Sequence, residues 1–187
     1  MKKRFSFTLV ELLGAMALIV ILAGIAFSGY TYAMNRAKES ATTSTIKQIE
    51  TALEAAKIKA GYYPASANYA VIKFTVDSSE LLQKVEFGST ELSAAKNKKL
   101  FAEFKKIIDF ESIRQNLNSR GELEDSWGKE IYYAFPGKIN KTGFDLVSAG
   151  PDGVFAKEDS NKKPANTVAR SDYYDGSERI VDDISNF

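Results

Sequence analysis

Residues 7–27 form a run of 21 positions with a single charge, Glu11. As a helix rising about 1.5 Å per residue, such a run crosses the roughly 30 Å hydrocarbon core of a bilayer. Lys2, Lys3 and Arg4 stand just before it, and basic residues ahead of a first span predict a cytoplasmic N-terminus. A secretory signal peptide is the simplest other reading, with Gly24-Ile25-Ala26 as a small-x-small cleavage site. The apolar core of a signal peptide reaches about 15 residues. The uncharged run 12–27 has 16, so length leaves signal peptide and anchor both open.

Glu11 separates the two. A carboxylate within an apolar span is costly and is by default a functional residue. A plain anchor gains nothing from it, whereas a helix packing against copies of itself can pair it with a neighbour's cation.

Composition narrows the chemistry. The 187 residues include no Cys and no His, which excludes thiolate and imidazole catalysis, thiolate zinc sites and disulfides. A bound metal would have to be a hard, oxygen-seeking ion. The formal net charge is +1, so no overall basicity points to nucleic acid.

The helical pattern continues past the apolar run. Ile46, Ile49, Leu53, Ala56 and Ala60 step by three and four, with Lys47, Glu50, Glu54 and Lys57 off the stripe. The first Pro is Pro64, and Gly61 with Pro64 marks the stop. The pattern predicts a helix over 7–59, about 80 Å if unbroken, weakened near Gly24 and Gly29. Its second half is expected to lie on a head formed by residues 60–187. In that head, 69–76 reads as a strand and 96–120 as mostly helical, with Leu100, Phe101, Phe104, Ile107, Ile108 and Ile113 as apolar points. Lys96, Lys98, Lys99, Lys105 and Lys106 read as a solvated face, because no stacking platform accompanies them. Residues 131–135 and 144–148 read as two strands joined by a loop containing Pro136-Gly137.

The order of features at the N-terminus resembles the class III signal of type IV pilins and type II secretion pseudopilins. Basic residues precede Phe7-Thr8-Leu9-Val10-Glu11-Leu12-Leu13, and an apolar helix follows. The resemblance implies that a prepilin peptidase cuts between Ser6 and Phe7 and N-methylates the Phe7 amine. It implies that Glu11 neutralises the amino terminus of a neighbouring subunit during assembly. Ser6 stands where the family usually has Gly, and Ser28-Gly29 where many members carry Pro. Tyr62-Tyr63-Pro64 is similar to the turn after the helix of major pseudopilins. Asp125-Ser126-Trp127-Gly128 is similar to their Asp-Pro-Trp-Gly. Ser148-Ala149-Gly150-Pro151-Asp152-Gly153 is similar to their Ser-Leu-Gly-Pro/Ala-Asp-Gly, and Asp182-Asp183-Ile184-Ser185-Asn186-Phe187 to their closing Asp-Asp-Ile-x-Asn-Trp.

Residues 145–187 hold nine Asp or Glu and five Lys or Arg, which by composition alone reads as a solvated acidic loop. The resemblance implies one calcium ion there. The residues carried over are Asp152 and Asp182 as side-chain ligands, Asp183 as a third, and the carbonyls of Ala149 and Val154. An insertion over 155–181 is much longer than the family's loop, and Asp159, Ser160 and Asp175 within it offer other oxygens.

A serine-hydrolase reading rests on S-x-x-K at Ser44–Lys47 and Ser93–Lys96, with Ser66-Ala67-Asn68 and Lys141-Thr142-Gly143 as further fragments. Such short patterns arise easily by chance. Ser44 falls on the helix, only 22 residues before Ser66.

The expected protein is α+β and not an enzyme. A leader 1–6 is followed by the helix 7–59, whose first half spans the membrane, and by the small antiparallel head 60–187 with its metal-binding loop. The function implied is that of a subunit of a type II secretion pseudopilus, held in the inner membrane with the head in the periplasm. Implied partners are copies of itself, minor pseudopilins, the inner-membrane assembly platform and prepilin peptidase, and no nucleic acid. A type IV pilus subunit is the nearer alternative. A soluble periplasmic protein behind a conventional signal peptide is the remoter one.

Overall fold

The computed structural model describes residues 8–175, 178–179 and 183–187, with backbone alone at 28, 178 and 179. It contains two compact units, residues 1–37 and 38–187.

Helix α1, Leu9–Ala60, runs through both. In the first unit its apolar side chains face outward: Val10, Ile19, Val20, Ile25 and Phe27 are all more than half exposed. Among the described residues this is the one helix long and apolar enough to cross a membrane.

In the second unit α1 has a buried face. Thr42, Thr45, Ile46, Ile49, Ala52, Leu53 and Ala56 are buried, and their steps of three and four keep them on one side of a 3.6-residue turn. This is the stripe read from the sequence, extended by one turn through two threonines. The helix ends where Gly61 takes φ +91° and donates its N–H to the Lys57 carbonyl at 2.6 Å. Only glycine enters that left-handed region without strain, so the stop is local chemistry.

The remaining elements, in chain order, are β1 Ser66–Val76, β2 Leu82–Phe87, β3 Thr90–Ser93, α2 Lys98–Ile107, α3 Phe110–Arg114, β4 Tyr132–Phe135 and β5 Asp145–Ser148. A 3-10 turn at Arg170–Asp172, a two-residue ribbon of β6 Tyr174–Asp175 and β7 Glu178–Arg179, and β8 Ile184–Ser185 follow. Six strands form an antiparallel sheet in the order β3-β2-β1-β4-β5-β8. The outer edge at β3 is blunted, because the Asn97 side-chain amide donates to the Glu91 carbonyl at 2.7 Å.

Alternation along β4 and β5 sorts their side chains to two faces. Tyr133 and Leu146 join Ile72, Phe74, Val85, Phe87, Leu100, Phe104 and the α1 stripe in the main core. Tyr132, Ala134 and Val147 point the other way, into a second cluster with Phe155, Ala165, Val168 and Tyr173. Those four belong to the long insertion. Its described part is therefore a packed cover over the back of β4 and β5, with Tyr132 and Phe155 meeting edge to face at 5.5 Å.

The stretch 96–120 is mostly helical, as read from the sequence, but in two pieces, 98–107 and 110–114. Ile108 takes an extended conformation after α2, and Asp109 then caps α3 by accepting the Ser112 N–H. After α3 the chain turns at Asn118, whose Oδ1 accepts the N–H groups of Arg120 and Glu122. Ile107, one of the apolar points of the pattern, is 48% exposed at the end of α2.

Candidate functional site

Thr8 and Glu11 form a reciprocal cap at the start of α1. Glu11 Oε2 accepts from the Thr8 N–H and from the Thr8 hydroxyl, both at 2.8 Å, while the Glu11 N–H donates to Thr8 Oγ1 at 3.2 Å. Two of the backbone N–H groups that a helix N-terminus otherwise leaves unpaired are satisfied within four residues. Both accepted bonds fall on Oε2, and Oε1 has no partner among the described residues. Glu11 is exposed, so one carboxylate oxygen faces outward beside the helix N-terminus. Thr8 was not singled out by the sequence reading, although its T-x-x-E spacing to Glu11 is the signal that finds it. Ser6 and Phe7 lie outside the described residues.

In the head, the three motif stretches meet on β5. Asp125, the first residue of Asp-Ser-Trp-Gly, accepts the Ser148 hydroxyl at 2.6 Å and the N–H groups of Trp127 and Lys129 at 2.8 and 2.9 Å. Ser148 opens the Ser-Ala-Gly-Pro-Asp-Gly stretch, and its oxygen also accepts the Gly150 N–H at 3.1 Å. Asn186, from the closing stretch, accepts the Leu146 N–H at 2.7 Å and donates to the Phe144 carbonyl at 3.2 Å. Ser126 donates its N–H to Thr42 Oγ1 at 3.0 Å, which ties the first motif to the buried face of α1.

Asp145 is a second residue the sequence reading passed over. It is fully buried, yet it accepts four bonds: from the Tyr69 hydroxyl at 2.9 Å and from the N–H groups of Lys138, Ile139 and Asn140 at 2.6, 2.9 and 2.9 Å. A buried carboxylate is tolerated when its lone pairs are filled in this way. Burial, and then the negative charge of Asp145, push the Tyr69 phenol well above its ordinary range. No local pattern marks Asp145, because its partners come from a distant strand and from a loop that folds back.

The oxygens expected to hold calcium are placed as follows. Ala149 is buried and Val154 is 53% exposed. Asp152 is exposed, and its Oδ1 accepts the Val154 N–H at 2.8 Å. Asp183 is buried, and its Oδ2 accepts the Ala156 N–H at 2.9 Å. Asp159 closes its own turn, accepting the N–H groups of Asn161 and Lys163 at 2.8 and 3.2 Å. Asp175 is exposed on β6, and Asp182 lies outside the described residues. Among the described residues no three acidic side chains gather as a metal cluster. The donor chemistry itself, carboxylate and carbonyl oxygen, suits a hard cation.

In the second S-x-x-K pattern Ser93 donates its hydroxyl to Glu91, and the ammonium of Lys96 pairs with the same carboxylate at 3.3 Å, so this pair is held as an ion-paired turn.

Comparison with protein families gives two matches. Residues 1–27 match the prokaryotic N-terminal methylation motif, and residues 110–167 match type II secretion system (T2SS), protein G. No curated protein and no solved structure matches the chain. The second match contains the Asp125–Ser148 bond, and the first contains the capped Glu11 at the head of a membrane-length helix. The N-terminal and the central match agree: the chain carries a prepilin-type methylation motif and, over residues 110–167, a stretch similar to protein G of type II secretion systems.

Proposed function

We propose that the subunit is stored in the inner membrane as a single-pass protein with its head in the periplasm, and is drawn from there into the secretion pseudopilus. The observation that carries this reading is the outward oxygen of Glu11 at the N-terminal end of an exposed apolar helix. Cleavage between Ser6 and Phe7 removes the basic leader and creates an amine that is then methylated. Glu11 of an arriving subunit pairs with the Phe7 amine of a neighbour, and a head-to-tail contact of this kind repeats into a helical fibre. Copies of the chain, minor pseudopilins, the assembly platform and prepilin peptidase are the partners on this reading.

The processing step is tested by intact mass and N-terminal sequence of the protein from its own membranes. The expected chain starts at methylated Phe7. A chain starting after Ala26 would mean conventional signal cleavage and would leave the filament mechanism without its amine.

We also propose one calcium ion at the turn 149–154, held by Asp152, Asp182 and Asp183 with the carbonyls of Ala149 and Val154. Two facts support it: Asp183 is a carboxylate buried in the head, and the donors are all oxygen. Ligand binding to the folded state alone raises stability by about 2.7 kcal/mol at a hundredfold excess over Kd. Full-length protein in detergent is therefore expected to melt several degrees higher in calcium than in chelator. Asp152→Ala removes that difference. Identical melting of the parent in both conditions rules the ion out.

A further inference from the structure

Between β4, the turn 149–154 and the insertion lies a cleft of about 290 Å³, lined by Lys129, Lys162, Lys163, Tyr132 and Phe155 among others. Lys129 lies across Gly153: a Cβ at that glycine would stand 2.9 Å from Lys129 Cε and 3.5 Å from its Nζ. The turn closed by Asp159 holds Lys162 at φ +57°, a left-handed conformation uncommon for lysine. Tyr132 is 5% exposed, its ring edge to face on Phe155. Its hydroxyl and the three ammonium groups have no hydrogen-bond or ion-pair partner among the described residues. A nearly buried phenol in that state is an unmet donor. Burial, and then Glu130, Asp159 and Glu122, push it up to about 12, so it stays protonated at neutral pH. Those acids have partners of their own. Glu122 and Glu130 reach Arg120 at 2.6 and 3.5 Å, and Asp159 accepts the N–H groups of Asn161 and Lys163.

We infer that this cleft binds a small phosphate-bearing anion, held by the three ammonium groups and by a hydrogen bond from the Tyr132 hydroxyl. Ammonium groups are compact charges that bind phosphate without a fixed geometry. Three of them with one neutral donor suit a doubly charged oxyanion better than a single carboxylate. The volume is at the lower end for ligand pockets, which favours a small ligand over a protein segment. The rings of Phe155 and Tyr132 give an organic substituent an apolar wall. Bound there, the anion ties the insertion, through Lys162 and Lys163, to the approach to β4 at Lys129.

Calorimetric titration of the full-length protein in detergent, with potassium phosphate against chloride at equal ionic strength, tests the site. Chelator is present throughout, so that calcium at the turn 149–154 does not contribute. Saturable binding of inorganic phosphate is expected. Lys129→Gln and Lys162→Asn each weaken it about tenfold, the loss of one charge-assisted bond, and asparagine tolerates the left-handed turn at 162. Tyr132→Phe removes only the unpaired hydroxyl. It weakens phosphate by a similar factor and leaves the melting temperature of the phosphate-free head unchanged. Lys98→Ala, at an exposed lysine on α2, leaves the affinity as it was. Glycerol 3-phosphate distinguishes the source: tighter binding than inorganic phosphate assigns an organic phosphate, and equal binding assigns the free ion. Absence of saturable binding, an equal loss in Lys98→Ala, or full affinity in Tyr132→Phe overturns the site. Saturation by an oligo-aspartate peptide but not by phosphate also overturns it, and makes the cleft a contact for an acidic protein segment.

Discussion

Glu11→Ala is expected to leave cleavage and methylation intact and to lower filament yield by at least about tenfold, because an amine left unpaired in the helix bundle is strongly disfavoured. The prediction needs a control, since Glu11 also caps its own helix through Thr8. Glu11→Gln supplies it. The amide oxygen still accepts from Thr8, so the cap survives while the negative charge is lost. If pairing with the neighbour's amine is the role, both variants fail to assemble. If only the cap matters, Gln assembles normally and Ala does not. Normal filaments from Glu11→Gln, seen by shearing and sedimentation, would therefore remove the charge-pairing step from the mechanism.

Asp145→Ala has the largest expected effect on the head. It strips acceptors from the buried Tyr69 hydroxyl and from three half-buried backbone N–H groups. Each buried donor left unsatisfied costs about 1–3 kcal/mol, and relaxation of the 138–140 loop recovers part of it. A net loss of about 4 kcal/mol is expected, or a fall in Tm of about 10 °C for a chain of this size. Asp145→Asn keeps one acceptor oxygen but turns an NH2 group towards donors, so it should fall between the parent and Ala. Melting followed by Trp127 fluorescence decides the matter. A fall of less than about 1 kcal/mol would show that the loop rebuilds its bonds to water and that the four-donor cage is not structural.

Much of the molecule follows from local chemistry. The membrane-length run, its single carboxylate and the periodic stripe from Ile46 to Ala56 depend only on residue type and spacing, and the structure carries them as one helix, Leu9–Ala60. Gly61 and Pro64 end it by backbone sterics alone. Strands β4 and β5 were legible because Ile131-Tyr132-Tyr133-Ala134-Phe135 and Phe144-Asp145-Leu146-Val147-Ser148 combine strand-forming residues with flanking turn signals.

The hairpin of β2 and β3 was not legible. Its buried positions Leu82, Val85, Phe87 and Leu92 do not keep a two-residue period, because the register against β1 slips at Thr75 and Val76. Only the partner strand decides which of these residues turn inward. The break between α2 and α3 was hidden for a similar reason. A run rich in Phe, Ile and Lys suits one long helix, and the extended Ile108 is chosen because its side chain joins the core.

The functional residues divide along the same line. Glu11 is visible in the sequence because a lone carboxylate in an apolar run is anomalous wherever the chain folds. Thr8 is visible once the cap spacing is sought. The Asp125–Ser148 bond, the cage around Asp145 and the cover formed by Phe155, Ala165, Val168 and Tyr173 exist only in three dimensions. Each depends on groups more than a few residues apart, and short-range propensity carries no information about such pairs. The sequence by itself determined where the chain crosses a membrane and which carboxylate stands at that boundary, since these are matters of solvation and period. Only the tertiary structure decided how the three motif stretches close on β5 and that the described part of the long insertion packs as a layer, since those depend on which buried donors and apolar faces the fold must satisfy.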